Sequence, residues 1–320
     1  MYSAAHPPSP PEGLIIDLVT PLAADGRLDR ESLSRLLARV TPLADGLMAG
    51  SPLAGEGLDL PLATRRELLS QVLAQAGPVP VFFCITGHTP EATRELAEAV
   101  LEESRGRKSA APVFLTDLPL WYRGNRGLPQ AYQALLQDLH LPLILLNLPE
   151  VVRRRSALFK HRNLRTQVFK KLADLAPIAG LVYRGEMRRF LNYHHAAARR
   201  PGLVFYEADE VNFLTRPGGW GVVSAGAQLL PHFWRQGTRA CLHPEEMADD
   251  PEGRVALFGL TRQLLHLARL CRKAPAALIK HALAAQGVIA DSLTAPGTPP
   301  GDPSRMEELP ALLSSLGTDL

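Results

Sequence analysis

The residues able to do chemistry in this 320-residue chain stand at the ends of short apolar runs, outside any compact catalytic motif. Ser51, Gly55 and Glu56 share one loop, where the Glu56 carboxylate could move a proton. Arg184 offers a planar fork suited to a carboxylate, with Glu207 and Asp209 as alternative intramolecular partners. Asn147, Glu207 and Ser224 add polar groups at further run ends, and Tyr122 suits either a pocket wall or a subunit contact. Only six of the 35 basic residues are lysines, and the strand-like run 178–184 contains none.

Other reactive types give no site. His194 and His195 are adjacent on an expected helix and so point to different faces, and no histidine pair has HxxxH or HExxH spacing. Cys84, Cys241 and Cys271 are too scattered for a CxxC site or a disulfide framework, and Cys84 reads as a buried apolar residue. The run Arg153-Arg154-Arg155, with Lys160 and Arg162 nearby, reads as a solvated loop. No metal and no cofactor are expected. A net charge of +3, with basic residues spread along the chain, argues against a nucleic-acid partner. The absence of a signal-type apolar segment near Met1, and of any run near the ~18 apolar residues of a membrane span, predicts a cytoplasmic protein without a membrane partner.

The elements that must position these residues alternate regularly. Apolar runs at 14–19, 46–50, 80–86, 112–116, 141–147, 178–184, 203–207 and 221–225 read as strands, with helical periodicity between most of them. Asp29 is placed to cap the first helix, Thr64 and Glu67 have capping-box spacing, and Thr89-Pro90-Glu91 opens another helix. Eight strand–helix units predict an α/β fold, a (β/α)8 TIM barrel over residues 13–235. Residues 1–12 are expected to be disordered, and residues 236–320 to form a C-terminal helical region with a Pro/Gly-rich linker near 295–303. In such a barrel the reacting groups stand at the C-terminal strand ends, where the candidates above fall.

Val19-Thr20-Pro21-Leu22 followed by Asp25-Gly26, then Gly55-Glu56, then Pro142-Leu143-Ile144-Leu145-Leu146-Asn147-Leu148-Pro149 form an ordered set. Ile178-Ala179-Gly180-Leu181 and Gly218-Gly219-Trp220-Gly221 complete it. Together they resemble the pyruvate-dependent class I lyases that include dihydrodipicolinate synthase and N-acetylneuraminate lyase, over residues 13 to about 290. The resemblance implies a Schiff base between pyruvate and a sixth-strand lysine, a position that matches Val182 here. It implies a proton-shuttling tyrosine at a position that matches Leu146, and a Gly-Thr-Thr-Gly-Glu carboxylate cradle where this chain has Gly50-Ser51-Pro52-Leu53-Ala54-Gly55-Glu56. An arginine of some members matches Val151, and the family's tyrosine pair meets Leu120 and Trp121. It also implies a homo-oligomer, a dimer or a tetramer.

The resulting expectation is a diverged member of this lyase family, with no catalytic residue at the family positions Val182 and Leu146 and no pyruvate imine. It would bind a small anionic metabolite or act as an oligomer partner. Two alternatives stay open: a lyase or hydrolase acting on an oxo-acid-like substrate without an imine, through Arg184, Glu207, Ser224 and Tyr122, and an intact pyruvate-dependent aldolase using another lysine.

Overall fold

The computed structural model describes residues 8–106, 111–137, 139–155, 161–247 and 251–317. Eight strands run β1 (Gly13–Asp17), β2 (Gly46–Ala49), β3 (Val81–Cys84), β4 (Val113–Asp117), β5 (Leu143–Asn147), β6 (Ile178–Tyr183), β7 (Val204–Glu207) and β8 (Gly221–Ser224). They close in sequence order, all parallel, with β8 pairing back to β1, so the predicted (β/α)8 barrel is the observed fold. Almost every strand residue is buried, as parallel strands covered on both faces require.

The barrel interior is marked by aromatic rings. Phe82 on β3 reaches Tyr206 on β7 edge-on at 6.0 Å and stacks on Phe114 of β4 at 4.9 Å. Since β3 and β7 lie on opposite walls, these side chains face inward, and strand alternation then assigns a face to every neighbour in register. Gly46 makes room for this cluster: a Cβ there would stand 2.8 Å from both Phe82 and Ile15.

The surrounding helices are α1 (Arg30–Val40), α2 (Leu62–Gln75), α3 (Pro90–Gly106), α4 (Leu128–Leu136), α5 (Pro149–Arg155), α6 (Thr166–Ala173), α7 (Met187–Ala196), α8 (Glu210–Thr215) and α9 (Pro231–Leu242). Helix α1 starts as its sequence predicts, with the Asp29 carboxylate accepting from the Ser32 amide and hydroxyl. At α3 the Thr89 hydroxyl accepts from the Ala92 amide. Helix α2 departs from expectation. Pro61 stands at its N-cap with no side-chain cap bond, so Thr64 already has helical backbone and cannot adopt the extended geometry of a capping box.

Beyond the barrel come α10 (Pro251–Cys271), α11 (Pro275–Ala285) and α12 (Pro303–Gly317). Leu260, Leu264 and Leu267 of α10 are buried, and α10 packs on α8 and α9 while α12 packs on α11. Residues 1–7 of the stretch expected to be disordered lie outside the described residues. Just after them, the carbonyls of Pro10 and Pro11 accept from Trp220 Nε1 and the Tyr206 hydroxyl, at the N-terminal end of the barrel. No helix among the described residues is long and apolar enough to cross a membrane.

Candidate functional site: the barrel mouth

Val182 lies in register between Leu146 on β5 and Tyr206 on β7. Tyr206 points inward, so Val182 and Leu146 face the barrel interior beside it, both almost fully buried. Two residues further on, Arg184 rises from the same face into the mouth. Its Nη2 donates to the Arg272 carbonyl at 2.9 Å, while its Nε stands 3.7 Å from Glu150 Oε2 and 3.9 Å from Asp209 Oδ2. That Nε is buried and has no hydrogen-bond acceptor among the described residues.

The loop after β2 closes on itself. Ser51 Oγ donates to Asp17 Oδ2 at 2.9 Å and accepts from the Leu53 and Gly55 amides at 3.1 Å each, and the Ala54 amide also reaches Asp17. Gly55 gives its carbonyl to the Thr20 hydroxyl. The donors that could have cradled an anion are thus spent within the loop and on Asp17. Burial pushes the Asp17 carboxyl up to about 7, against the lowering effect of the Ser51 and Ala54 bonds.

Glu56 occupies the left-handed region at φ 56° and is held there by the C-terminal segment. Its Oε1 accepts from the Ala295 amide at 2.7 Å and the Thr298 hydroxyl at 3.0 Å, and its Oε2 pairs with Lys280. Lys280, on α11, is wholly enclosed and also donates to the Leu293 carbonyl; burial lowers its pKa, with Glu56 acting in the opposite sense.

Three candidates face the helices rather than the interior. Tyr183, whose ring packs edge-on against Tyr193 of α7, is in register with both Asn147 and Glu207 and fixes their outward sense. Asn147 donates to the Tyr193 hydroxyl and accepts from the Leu164 amide. Glu207 accepts from the Asp209 amide, and burial raises its carboxyl to about 8. Ser224 donates to Glu210 at 2.6 Å and accepts from the Ala227 amide. Tyr122 belongs to the outer wall as well. Its hydroxyl and those of Thr86 and Tyr132 all converge on the buried Asp117, which also orders the Leu118 amide through Thr86. A cavity of about 380 Å³ between α3 and α4 opens beside Tyr122 and Tyr132.

The mouth itself holds a cavity of about 180 Å³ between the loops after β2, β5 and β6 and the α10–α11 junction. Arg184 is the one predicted site residue that lines it; Glu150, Arg154, Arg272 and Lys273 supply its other charges. Sequence reasoning missed Asp17, Lys280 and Arg272. Two of these had a signal: Asp17 sits inside an apolar strand and Lys280 inside an apolar helix, where a charge requires a partner. Of the remaining lysines, Lys170 and Lys171 are exposed on α6, Lys273 is exposed at the mouth, and Lys108 and Lys160 lie outside the described residues. No group of three metal-ligating side chains occurs among the described residues.

A closed parallel barrel with its polar groups gathered at the C-terminal strand ends defines the class. The family model of the dihydrodipicolinate synthetase family matches residues 10–315, and the chain belongs to that family. Among its relatives, the 4-hydroxy-tetrahydrodipicolinate synthase of Xylella fastidiosa is 30% identical over 235 residues, covering 70% of each chain. That of Shewanella piezotolerans is 26% identical over 231 residues, covering 70% of this chain and 72% of its own. The fold is shared with a prophage protein of the dihydrodipicolinic acid synthase family from E. coli K12 solved in complex with pyruvate, at TM-score 0.78 and 21% identity over 96% of this chain and 98% of that one. Dihydrodipicolinate synthase from Thermotoga maritima superposes at TM-score 0.77 with 19% identity, over 96% and 99% of the two chains.

Proposed function

We propose that this chain keeps the family barrel but does not form the pyruvate imine, serving instead as a scaffold that binds a small anionic metabolite within a homo-oligomer in the cytoplasm. The observation that carries the reading is the adjacent pair Val182 and Leu146, buried and aliphatic on the interior face where the family resemblance implies an amine and a phenol. An aliphatic side chain can neither attack a carbonyl nor relay a proton. Lys280 is no substitute, because its amine is enclosed between Glu56 and the Leu293 carbonyl.

An imine-free lyase or hydrolase would need Arg184, Glu207, Ser224 and Tyr122 around one substrate. Only Arg184 lines the mouth cavity, and the other three are engaged with Asp209, Glu210 and Asp117. Incubation with pyruvate and borohydride, followed by intact mass, should leave the chain unmodified, while light scattering should report a dimer or tetramer. A reduced adduct at a defined lysine would overturn the reading.

A further inference from the structure

We propose that the mouth cavity is a binding site for a short-chain organic dianion, held between the Arg184 guanidinium and the Lys273 ammonium with Arg272 beside them. The proposal rests on the reading of the barrel as a binding scaffold and gives that scaffold its site and its class of ligand.

The charges around the cavity do not cancel. Arg154 is taken by Asp59 at 3.0 Å and by the Gly297 carbonyl, and Arg272 by Asp209 at 2.5 Å. Arg184 shares that Asp209 at 3.9 Å, outside hydrogen-bonding distance, and Lys273 is the fourth cation. Arg184 is only 7% exposed, yet among the described residues its guanidinium makes one hydrogen bond, to a backbone carbonyl, and its Nε has no acceptor. A buried guanidinium left short of an acceptor costs free energy that an incoming anion would recover. Lys273 is exposed and makes no ion pair among the described residues. Besides Asp209, the carboxylate nearest Arg184 is Glu150, whose side chain is 58% exposed and stands 3.7 Å away, beyond hydrogen-bonding distance. When Glu150 turns to solvent, the four cations Arg154, Arg184, Arg272 and Lys273 face the two carboxylates Asp59 and Asp209, a surplus of two positive charges for two anionic groups.

The walls and the size narrow the class. Pro52, Leu53, Val151 and Pro275 give the cavity an apolar side that suits a carbon chain better than a naked inorganic ion. At about 180 Å³ it is smaller than the ~300 Å³ at which pockets for drug-sized ligands begin, so the ligand has few heavy atoms. A dicarboxylate of malonate or succinate size meets both conditions.

Calorimetric titration of the full chain with succinate, butyrate and inorganic phosphate tests this. Succinate should saturate one site per chain and bind at least tenfold more tightly than butyrate, which has the same carbon chain and one charge fewer. Lys273→Gln should weaken succinate tenfold or more, and Glu150→Gln should tighten it. Both residues are solvent-exposed, so the unliganded melting temperature should stay unchanged and report an intact fold. Succinate binding no better than butyrate, or equally well to the Lys273→Gln variant, overturns the proposal. Phosphate binding more tightly than succinate overturns the organic class. The titration contains no pyruvate or borohydride, so its failure is distinguishable from the appearance of an imine adduct.

Discussion

Asp17 and Glu207 are carboxyls that burial holds near neutrality, and each sits at the end of a strand on a different face of the barrel wall. The consequence for stability is clearest at Asp17. Its folded pKa of about 7 lies above the ordinary 3.8, so the folded chain binds that proton more tightly than the unfolded one. The contribution is fully present below about pH 4 and is lost as the pH rises toward 7, at up to ~1.4 kcal/mol per pH unit. Asp17→Asn is neutral throughout and keeps an acceptor for the Ser51 hydroxyl. Its stability relative to the parent chain should therefore rise between pH 5 and pH 8 in urea unfolding; a constant difference would show that the Asp17 carboxyl titrates normally. At this scale the sequence was informative about residue type and poor about partners. Arg184 could be placed on a face by counting from Val182, and Asp209, one of its two expected partners, stands 3.9 Å away, but its contacts with Arg272 and Glu150 join segments that no local pattern links.

Elements were legible wherever periodicity or local capping chemistry carried the signal. Helix α1 and the residue that caps it follow from Asp29 and the spacing of Leu33, Leu36, Leu37 and Val40, all buried as expected. The failure at α2 is equally local in origin: Thr64 and Glu67 have the spacing of a capping box, but the chain turns helical at Leu62, directly after Pro61. These two helices give a paired prediction. Asp29→Ala should cost about 1 kcal/mol, because it strips acceptors from the Ser32 amide and hydroxyl. Thr64→Val, which replaces the hydroxyl with a methyl group where no cap bond is made, should cost less than Asp29→Ala in the same chemical denaturation assay. The loop after β2 shows the limit of reading at this scale. Its Gly50 and Gly57 backbones touch so closely that a Cβ at Gly57 would lie 1.8 Å from the Gly50 carbonyl, a fold-back that no residue pattern announced.

Across the whole molecule, the Glu56–Lys280 pair ties the C-terminal segment to the barrel, with Ala295 and Thr298 on the same carboxylate. Removing one member of a buried pair strands the other charge. Lys280→Met should therefore cost about 3–5 kcal/mol, and the double variant Lys280→Met with Glu56→Gln should cost less than the sum of the single changes in a urea double-mutant cycle. Strict additivity would mean the two groups do not interact. The barrel itself was legible in the sequence alone: eight short apolar runs alternating with helical stretches fit a closed barrel better than an open sheet, and the ordered motifs from Val19 to Trp220 pointed to the family to which the chain belongs. The identities of Val182 and Leu146 were likewise plain from the sequence. What only the tertiary structure decided is which polar groups meet. Strand alternation sends Asn147 and Glu207 toward the helices, Tyr122 turns to Asp117, Glu56 is claimed by Lys280, and Arg184 stays at the mouth with Arg272 and Lys273. Periodicity is a property of neighbouring residues, whereas a buried charge takes whichever partner the folded chain brings within reach, however distant in sequence.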